Sequence, residues 1–259
     1  MRDTSSTRPS RVLICAYACL QDPSIKLPGG GDLMAWNMVT RLARSFQVWV
    51  LTSDLNQPVI EAAMRRETHP DLHFCYVGLP DWLRMLYRLP GGYQLCAYLW
   101  QWRALFAARR LHHRVKFDAF HHLTYENDWM ASPTGAFLPV PYLRGPGGGA
   151  HRTPREFVKR YPLRGRLWER FRAAGQWVLR RDPVFLLGQQ RARAILVCNR
   201  EALEAIPARW RSKARLFPVN GVSQEVFARR PAQARAEKKF TVLSAGRLVR
   251  LKAFDLAIK

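Results

Sequence analysis

Val12-Leu-Ile-Cys-Ala-Tyr-Ala-Cys-Leu20 is an unbroken apolar run of nine residues, and its reading decides the fold. Arg8 and Arg11 lie ahead of the run's core and Ala16-Tyr17-Ala18 lies within it, which are the ingredients of a secretory leader. The run is short for a leader, and the Ala-x-Ala falls inside the apolar stretch instead of after it. A parallel strand covered on both faces accounts for the same letters, because such a strand is apolar at every position. The residues that follow require that strand. Ala18 to Gly31 reads as a long loop, Asp32 to Phe46 as a helix with Ala35, Val39, Leu42 and Phe46 on one stripe, and Val48 to Leu51 as a second strand. Strand, helix, strand is a βαβ unit.

The pattern repeats downstream. Strands are predicted at Leu72 to Val77, Ala119 to His122, Val140 to Leu143, Ala194 to Cys198 and Arg215 to Phe217, with helices at Gln94 to His113 and Glu201 to Ile206. The alternation predicts an α/β fold, a Rossmann-like parallel sheet with helices on both faces. Residues 1–10 read as a loose polar N-terminus and 11–223 as the first domain. Residues 224–239, with Arg229-Arg230-Pro231 and no apolar period, read as a linker. Phe240 to Ser244 opens a new strand, so 240–259 reads as the start of a second Rossmann-like domain. A stub of that size cannot bury a core of its own. Either it docks on the first domain, or the chain is a truncated product or a partial gene model.

The 259 residues are 48% apolar, with nine Trp and thirteen Phe, enough for a packed core. Lys and Arg number 42 against 19 Asp and Glu, a net charge of +23 that favours an anionic partner: nucleotide, nucleic acid or anionic lipid. Arginine outnumbers lysine 34 to 8, which fits phosphate recognition and biased codon usage equally well. The five cysteines (Cys15, Cys19, Cys75, Cys96 and Cys198) sit in apolar stretches with no Cys-x-x-Cys spacing, as expected for reduced, buried thiols in a cytoplasmic protein. The pairs His112-His113 and His121-His122 have no cysteine or carboxylate at ligand spacing, so no metal site is expected. No run reaches the roughly 18 apolar residues of a membrane span, so any membrane association would be peripheral.

Arginine recurs on almost every turn between Arg155 and Arg193, mixed with Phe157, Trp168, Phe171 and Trp177. One reading is an exposed face whose arginines snorkel over core aromatics; the other is a surface that rests on anionic lipid headgroups at the inner face of the membrane.

The chemistry concentrates at glycines, histidines and two late cations. Gly29-Gly30-Gly31 falls between the first strand and the first helix, where absent side chains let a ligand approach backbone N–H groups. It is neither the Gly-x-Gly-x-x-Gly of dinucleotide enzymes nor a Walker loop, since no Gly-Lys-Ser/Thr follows. A second cluster, Gly145-Pro-Gly-Gly-Gly149, follows the fifth predicted strand, with Gly148 as a candidate ligand contact. Ligands of open parallel sheets bind beyond the carboxyl ends of strands, and both clusters fall there. His121 and His122 end the fourth strand, ahead of Thr124, Glu126 and Asp128; either could hydrogen-bond a sugar or phosphate, act as acid or base, or cap its loop. Near the C-terminus Gly246-Arg247 leaves a strand and Lys252 stands at the mouth of the next helix, two cations suited to a diphosphate.

Together these stretches resemble the retaining GT-B glycosyltransferases that use nucleotide-sugar donors, of the family 4 or group 1 type. The resemblance rests on Leu27-Pro-Gly-Gly-Gly-Asp-Leu33 with Trp36, Phe120-His-His-Leu-Thr124, Pro141-Tyr-Leu-Arg-Gly-Pro-Gly-Gly-Gly149, Val219-Asn-Gly-Val222 with Phe227, and Ser244-Ala-Gly-Arg-Leu-Val249 with Lys252, in the family's order. It implies the N-terminal half of a GT-B fold plus the beginning of the donor domain. It also implies transfer of a sugar from a nucleotide-sugar donor to a glycan or lipid-linked acceptor, with no cofactor and no metal. Arg247 and Lys252 would hold the donor diphosphate, Gly30, Gly31 and Gly148 would approach it, and His121 or His122 would lie near the transferred sugar.

The sequence departs from the family at Ala253, where glycine is usual, and at Ser223, where an acidic residue is common. The family's paired glutamates would fall past Lys259, so this chain is expected to bind donor weakly. Two other classes remain: a basic nucleic-acid-binding protein, which the motif order disfavours, and a glycosyltransferase remnant without catalysis.

Overall fold

The computed structural model describes residues 9–20, 30–89, 91–124, 129–148 and 153–219, together with Ala228. In chain order the elements are β1 (Arg11–Ala16), α1 (Gly30–Leu42), β2 (Gln47–Ser53), α2 (Gln57–Arg66), β3 (Leu72–Val77), α3 (Asp81–Arg84), α4 (Gly92–Val115) and β4 (Ala119–Thr124). Then come α5 (Pro133–Phe137), β5 (Tyr142–Gly147), α6 (Arg155–Lys159), α7 (Leu163–Leu179), α8 (Pro183–Arg191), β6 (Ala192–Val197), α9 (Arg200–Ala205), α10 (Ala208–Arg211) and β7 (Ala214–Leu216).

The chain divides into two compact units, one of Met1–His151 with Trp168–Val219 and the other of Arg152–Leu167 with Asn220–Lys259. All seven strands among the described residues belong to the first. They form one parallel sheet in the order β3-β2-β1-β4-β5-β6-β7. The α/β, Rossmann-like class expected from the sequence is what the chain adopts. In the described part of the second unit, α6 is steadied by a Lys159–Glu156 ion pair at 2.7 Å, and Arg166 donates to the carbonyls of Lys159 and Tyr161.

Successive strand residues point to opposite faces, which sorts the core into two layers. Leu13, Cys15, Tyr17, Leu51, Phe120 and Tyr142 pack against Trp100, Ala104 and Ala108 of α4 and against α9 and α10 through Ala202 and Trp210. Ile14, Ala16, Val48, Val50 and Leu123 pack on the other face against Ala35 and Val39 of α1 and Ile60 of α2. The first strand is buried on both faces, which is why its sequence lacks an alternating pattern.

After β3 the chain returns through the 24-residue α4 to the far side of β1, so the sheet grows outward in both directions from the β1–β4 pair. That is a topological switch point, where the loops after β1 and β4 diverge and leave a crevice.

Two sequence expectations need correction. The fifth strand was expected to stop at Leu143 with the glycine cluster as a loop beyond it; instead β5 runs to Gly147. Pro146 has no N–H to give the ladder, and the pairing with β6 shifts register between Arg144 and Gly147, so an irregularity absorbs the proline. Second, the aromatics of α7 are not core residues: Trp168, Phe171 and Trp177 are 56%, 69% and 56% exposed. Helix α2, which the sequence reading left out, begins with Pro58 in its first turn and buries Ile60.

Candidate functional site

The switch point brings together most of the residues singled out from the sequence. Gly30 and Gly31 open α1 after β1 and Gly148 follows β5 directly, whereas His121 and His122, expected to end the fourth strand, lie inside β4, which runs on through Leu123 to Thr124. Arg247 and Lys252, with the expected linker 224–239 (Ala228 apart) and the strand at Phe240 to Ser244, lie outside the described residues.

The rim between β1 and β4 is held by one hydroxyl. Thr124 Oγ1 accepts from Ala18 N at 3.1 Å and donates to Ala18 O at 2.9 Å, which fixes the start of the loop after β1 to the end of β4. Beside it Asn56 Nδ2 donates to Tyr17 O and to Thr52 Oγ1, both at 2.8 Å, tying the ends of β1 and β2 together. The Tyr17 and Tyr87 hydroxyls meet at 2.6 Å. Burial, with Tyr87 next, drives the Tyr17 phenol far up, and burial pushes that of Tyr87 up to about 12, so both stay neutral. At the end of β2, Asp54 pairs with Arg84 at 2.5 Å, and Arg84 also donates to Leu79 O at 3.0 Å.

Gly31 is exposed, and a Cβ built on it would meet no atom of the described residues within 4 Å beyond its own helix backbone and chain neighbours. A ligand can therefore come close to the first turn of α1, where backbone N–H groups lack helical partners. Asp32 stands in that turn at 3% exposure, so a carboxylate already faces the helix N-terminus. An anion arriving there meets a turn whose dipole is partly answered, and needs further positive charge. The nearby Cys19 thiol is raised by burial and then by Asp32, and stays protonated.

The two histidines point to opposite faces of β4. His121 shares its face with Ile14 and Leu143, and His122 shares its own with Cys15 and Arg144. Their exposures are 4% and 1%, so in this conformation both imidazoles are enclosed by protein. His121 Nε2 lies 2.5 Å from Gly145 O; a carbonyl can only accept, so Nε2 carries the proton. This bond ties β4 to the irregular part of β5. Cys198 completes the edge by donating from both its thiol (2.9 Å) and its backbone N–H (3.2 Å) to Gly147 O, and its sulfur lies 3.0 Å from where a Cβ on Gly148 would stand.

Sequence reasoning placed Thr124 at this edge without a role, and passed over Tyr17, Asn56, Asp54 and Arg84. A polar residue ending a largely apolar strand was the signal available for Thr124; Asn56 lies three residues past the end of β2, just before α2, where asparagine ahead of a Pro-containing first helical turn was the available signal. Among the described residues, no group of three or more His, Cys, Asp or Glu side chains could hold a metal ion, and no helix is long and apolar enough to cross a membrane.

No family model matches the chain, and no curated protein matches it. Among solved structures, the chain is similar to a crystal structure of the glycotransferase of kitacinnamycin, at 15% sequence identity and a TM-score of 0.39. The similarity covers 92% of this chain and 56% of the other, so the chain spans little more than half the length of that structure.

Proposed function

We propose that the chain is the acceptor-side part of a retaining glycosyltransferase of GT-B architecture, moving a sugar from a nucleotide-sugar donor to a glycan or lipid-linked acceptor. The observation that carries this reading is the open first turn of α1 at Gly31, beside the β1–β4 switch point. The five motif stretches in family order support it. On this reading residues 11–223 form the first domain, 224–239 the linker and 240–259 the beginning of the donor domain.

The leaving group is a nucleoside diphosphate that gains negative charge as the glycosidic bond breaks. Arg247 and Lys252 spread that charge, and the α1 N–H groups add to them in spite of Asp32. This chemistry needs no metal. With both imidazoles enclosed, His121 acts as a positioning residue that holds the Gly145 carbonyl, and His122 underlies the same edge. Gly148 lets the donor approach the end of β5.

The test is protection of the 259-residue chain against thermal unfolding by a nucleoside diphosphate. Saturable protection is expected, weakened at least about 100-fold in the double variant Arg247→Ala with Lys252→Ala, since each charged hydrogen bond contributes about 1.5–3 kcal/mol. Absence of saturable protection, or an undiminished effect in the double variant, overturns the reading. Binding of nucleic acid that collapses with added salt would favour the nucleic-acid class instead.

The same reading places the protein in the cytoplasm, peripheral on an anionic membrane face, and α7 is the element that would rest there. From Trp168 onward its most buried residue is the polar Gln176, at 8% exposure, whereas Trp168, Phe171, Trp177 and Val178 are more than half exposed. Amphipathicity is thus inverted, with polar groups toward the protein and rings toward solvent. Arg170 beside them, Arg181 stacked on Trp177 at 3.7 Å, and the net charge of +23 complement anionic headgroups. Cosedimentation with phosphatidylglycerol vesicles is expected, about tenfold weaker for Phe171→Ser with Trp177→Ser and absent with phosphatidylcholine alone. Equal partition into both lipids, or none into either, sinks this assignment.

A further inference from the structure

We infer that the hollow at the amino ends of β5, β6 and β7, on the edge of the sheet opposite the crevice, binds a small organic polyanion, a carbon skeleton bearing two or more carboxylate or phosphate groups. The hollow measures about 590 Å³, and its lining includes Pro139, Val140, Pro141, Arg191, Arg193 and Lys213. Pro139 to Pro141 lead into β5, Arg191 ends α8, Arg193 is the second residue of β6, and Lys213 leads into β7. These segments are brought together by the pairing of β5, β6 and β7. None of the described residues that line the hollow is acidic.

Two of the three cations have a structural duty. Arg191 donates to Leu138 O at 3.0 Å, and Lys213 Nζ donates at 2.7 Å to the carbonyl of Gln190 in the last turn of α8, where unpaired carbonyls collect partial negative charge. Carbonyls accept these hydrogen bonds without cancelling either full charge. Arg193 has no such duty: it is exposed and makes no hydrogen bond or ion pair among the described residues. The ladder explains how it comes to be there. Tyr142 pairs with Ala192 and Leu143 with Ala194, so Arg193 is the extra residue of a β-bulge. A bulge re-aims its side chain, and this one brings a third cation to the hollow that Arg191 and Lys213 already line.

The lining narrows the class of ligand. Three like charges on one hollow repel each other, and a molecule with two or three negative charges between them reverses the sign of that interaction. Each guanidinium fork matches a pair of carboxylate or phosphate oxygens, while the ammonium adds a point charge. The cations stand on three separate segments, so anionic groups spread over a skeleton reach them better than one compact ion. Pro139, Val140, Pro141 and Ala192 supply an apolar wall against which the carbons of such a skeleton can lie, and an inorganic anion leaves that wall unused. The volume falls within the range of small-molecule sites, about 300–1,000 Å³. Because the hollow and the glycine rim occupy opposite ends of the strands, a ligand here does not compete with one at α1.

Thermal unfolding of the whole chain at constant ionic strength, with citrate, fructose 1,6-bisphosphate or inorganic phosphate as the probe, tests this. Saturable stabilisation is expected with citrate or fructose 1,6-bisphosphate, and weaker stabilisation with inorganic phosphate; whichever organic probe binds more tightly names the anionic group. Arg193→Gln, at an exposed position without partners and so compatible with folding, should weaken the organic probes about tenfold. Arg41→Gln removes the same charge from the exposed end of α1, ahead of β2 and across the sheet, and should change nothing. Arg247→Ala with Lys252→Ala should also leave the organic probes bound, which separates this site from the diphosphate reading. The inference is overturned if neither organic probe saturates, if Arg41→Gln weakens binding as much as Arg193→Gln, or if binding survives Arg193→Gln undiminished.

Discussion

Trp100→Ala is expected to destabilise the protein by about 3–5 kcal/mol, the range for deleting a large buried aromatic side chain. Trp100 is 0% exposed at the middle of α4, its Nε1 donates to Val77 O at 2.7 Å, and its ring meets that of Tyr17 edge-on at 5.1 Å. Alanine removes the ring, the hydrogen bond and the support under Tyr17 together. Natural domains have about 5–15 kcal/mol in total, so the loss is a large share of the whole. For a domain of this size it corresponds to a fall of about 6–20 °C in melting temperature. Trp100→Phe separates the terms: it keeps a ring in the site and loses the donor, with about 1–2 kcal/mol expected. If urea denaturation places both variants within 0.5 kcal/mol of the parent chain, the two-layer packing described above is wrong. The effect reaches the candidate site because Tyr17 is where β1 ends and the crevice begins.

The strands were legible because burial on both faces of a parallel sheet leaves a mark that needs no partner to be read. Val12 to Tyr17 and Ala194 to Cys198 are apolar runs of strand length between polar turns, and each became a strand within two residues at either end; Leu72 to Val77, an edge strand with His73 exposed, was read from its β-branched and aromatic residues instead. Helix starts at Asp182-Pro183 and Asn199-Arg200 were not read from the sequence, although both carry capping chemistry that the structure uses: Asp182 Oδ1 accepts from Val184 N, and Asn199 Oδ1 from Ala202 N, both at 2.8 Å. What the sequence hid depends on partners distant along the chain. Gly145-Pro146-Gly147 reads locally as a turn, and only the register shift against β6 turns it into strand. The exposed rings of α7 left both a core and a surface reading open, because an apolar stripe does not say which way it faces. The site shows the same division. Glycines at strand ends could be placed on one edge from topology alone, whereas the bridge from Thr124 to Ala18 spans 106 residues and the enclosure of His121 depends on its neighbours in space.

Gly145→Ala is expected to destabilise by about 2–5 kcal/mol, from two causes that act at one atom. Gly145 has φ of +96°, where a side chain is strained on any sequence background. A Cβ there would also stand 2.2 Å from the carbonyl oxygen of Leu196, a backbone atom of the adjacent strand β6 that cannot rotate aside. Relief requires β5 and β6 to separate locally, and β5 holds the carbonyl that receives the His121 proton. The variant should therefore lower the denaturation midpoint and also shift the His121 imidazole N–H resonance, a paired signature that simple core loosening would not give. Gly31→Ala is the contrasting case. With open space around its Cβ position and a helical setting, it should leave stability unchanged or raise it by at most about 1 kcal/mol. Its cost should appear only in nucleoside-diphosphate protection, where an added methyl stands between ligand and backbone. If Gly145→Ala proves neutral while Gly31→Ala unfolds the chain, then the second glycine cluster is the flexible one, and the crevice has been drawn at the wrong strand.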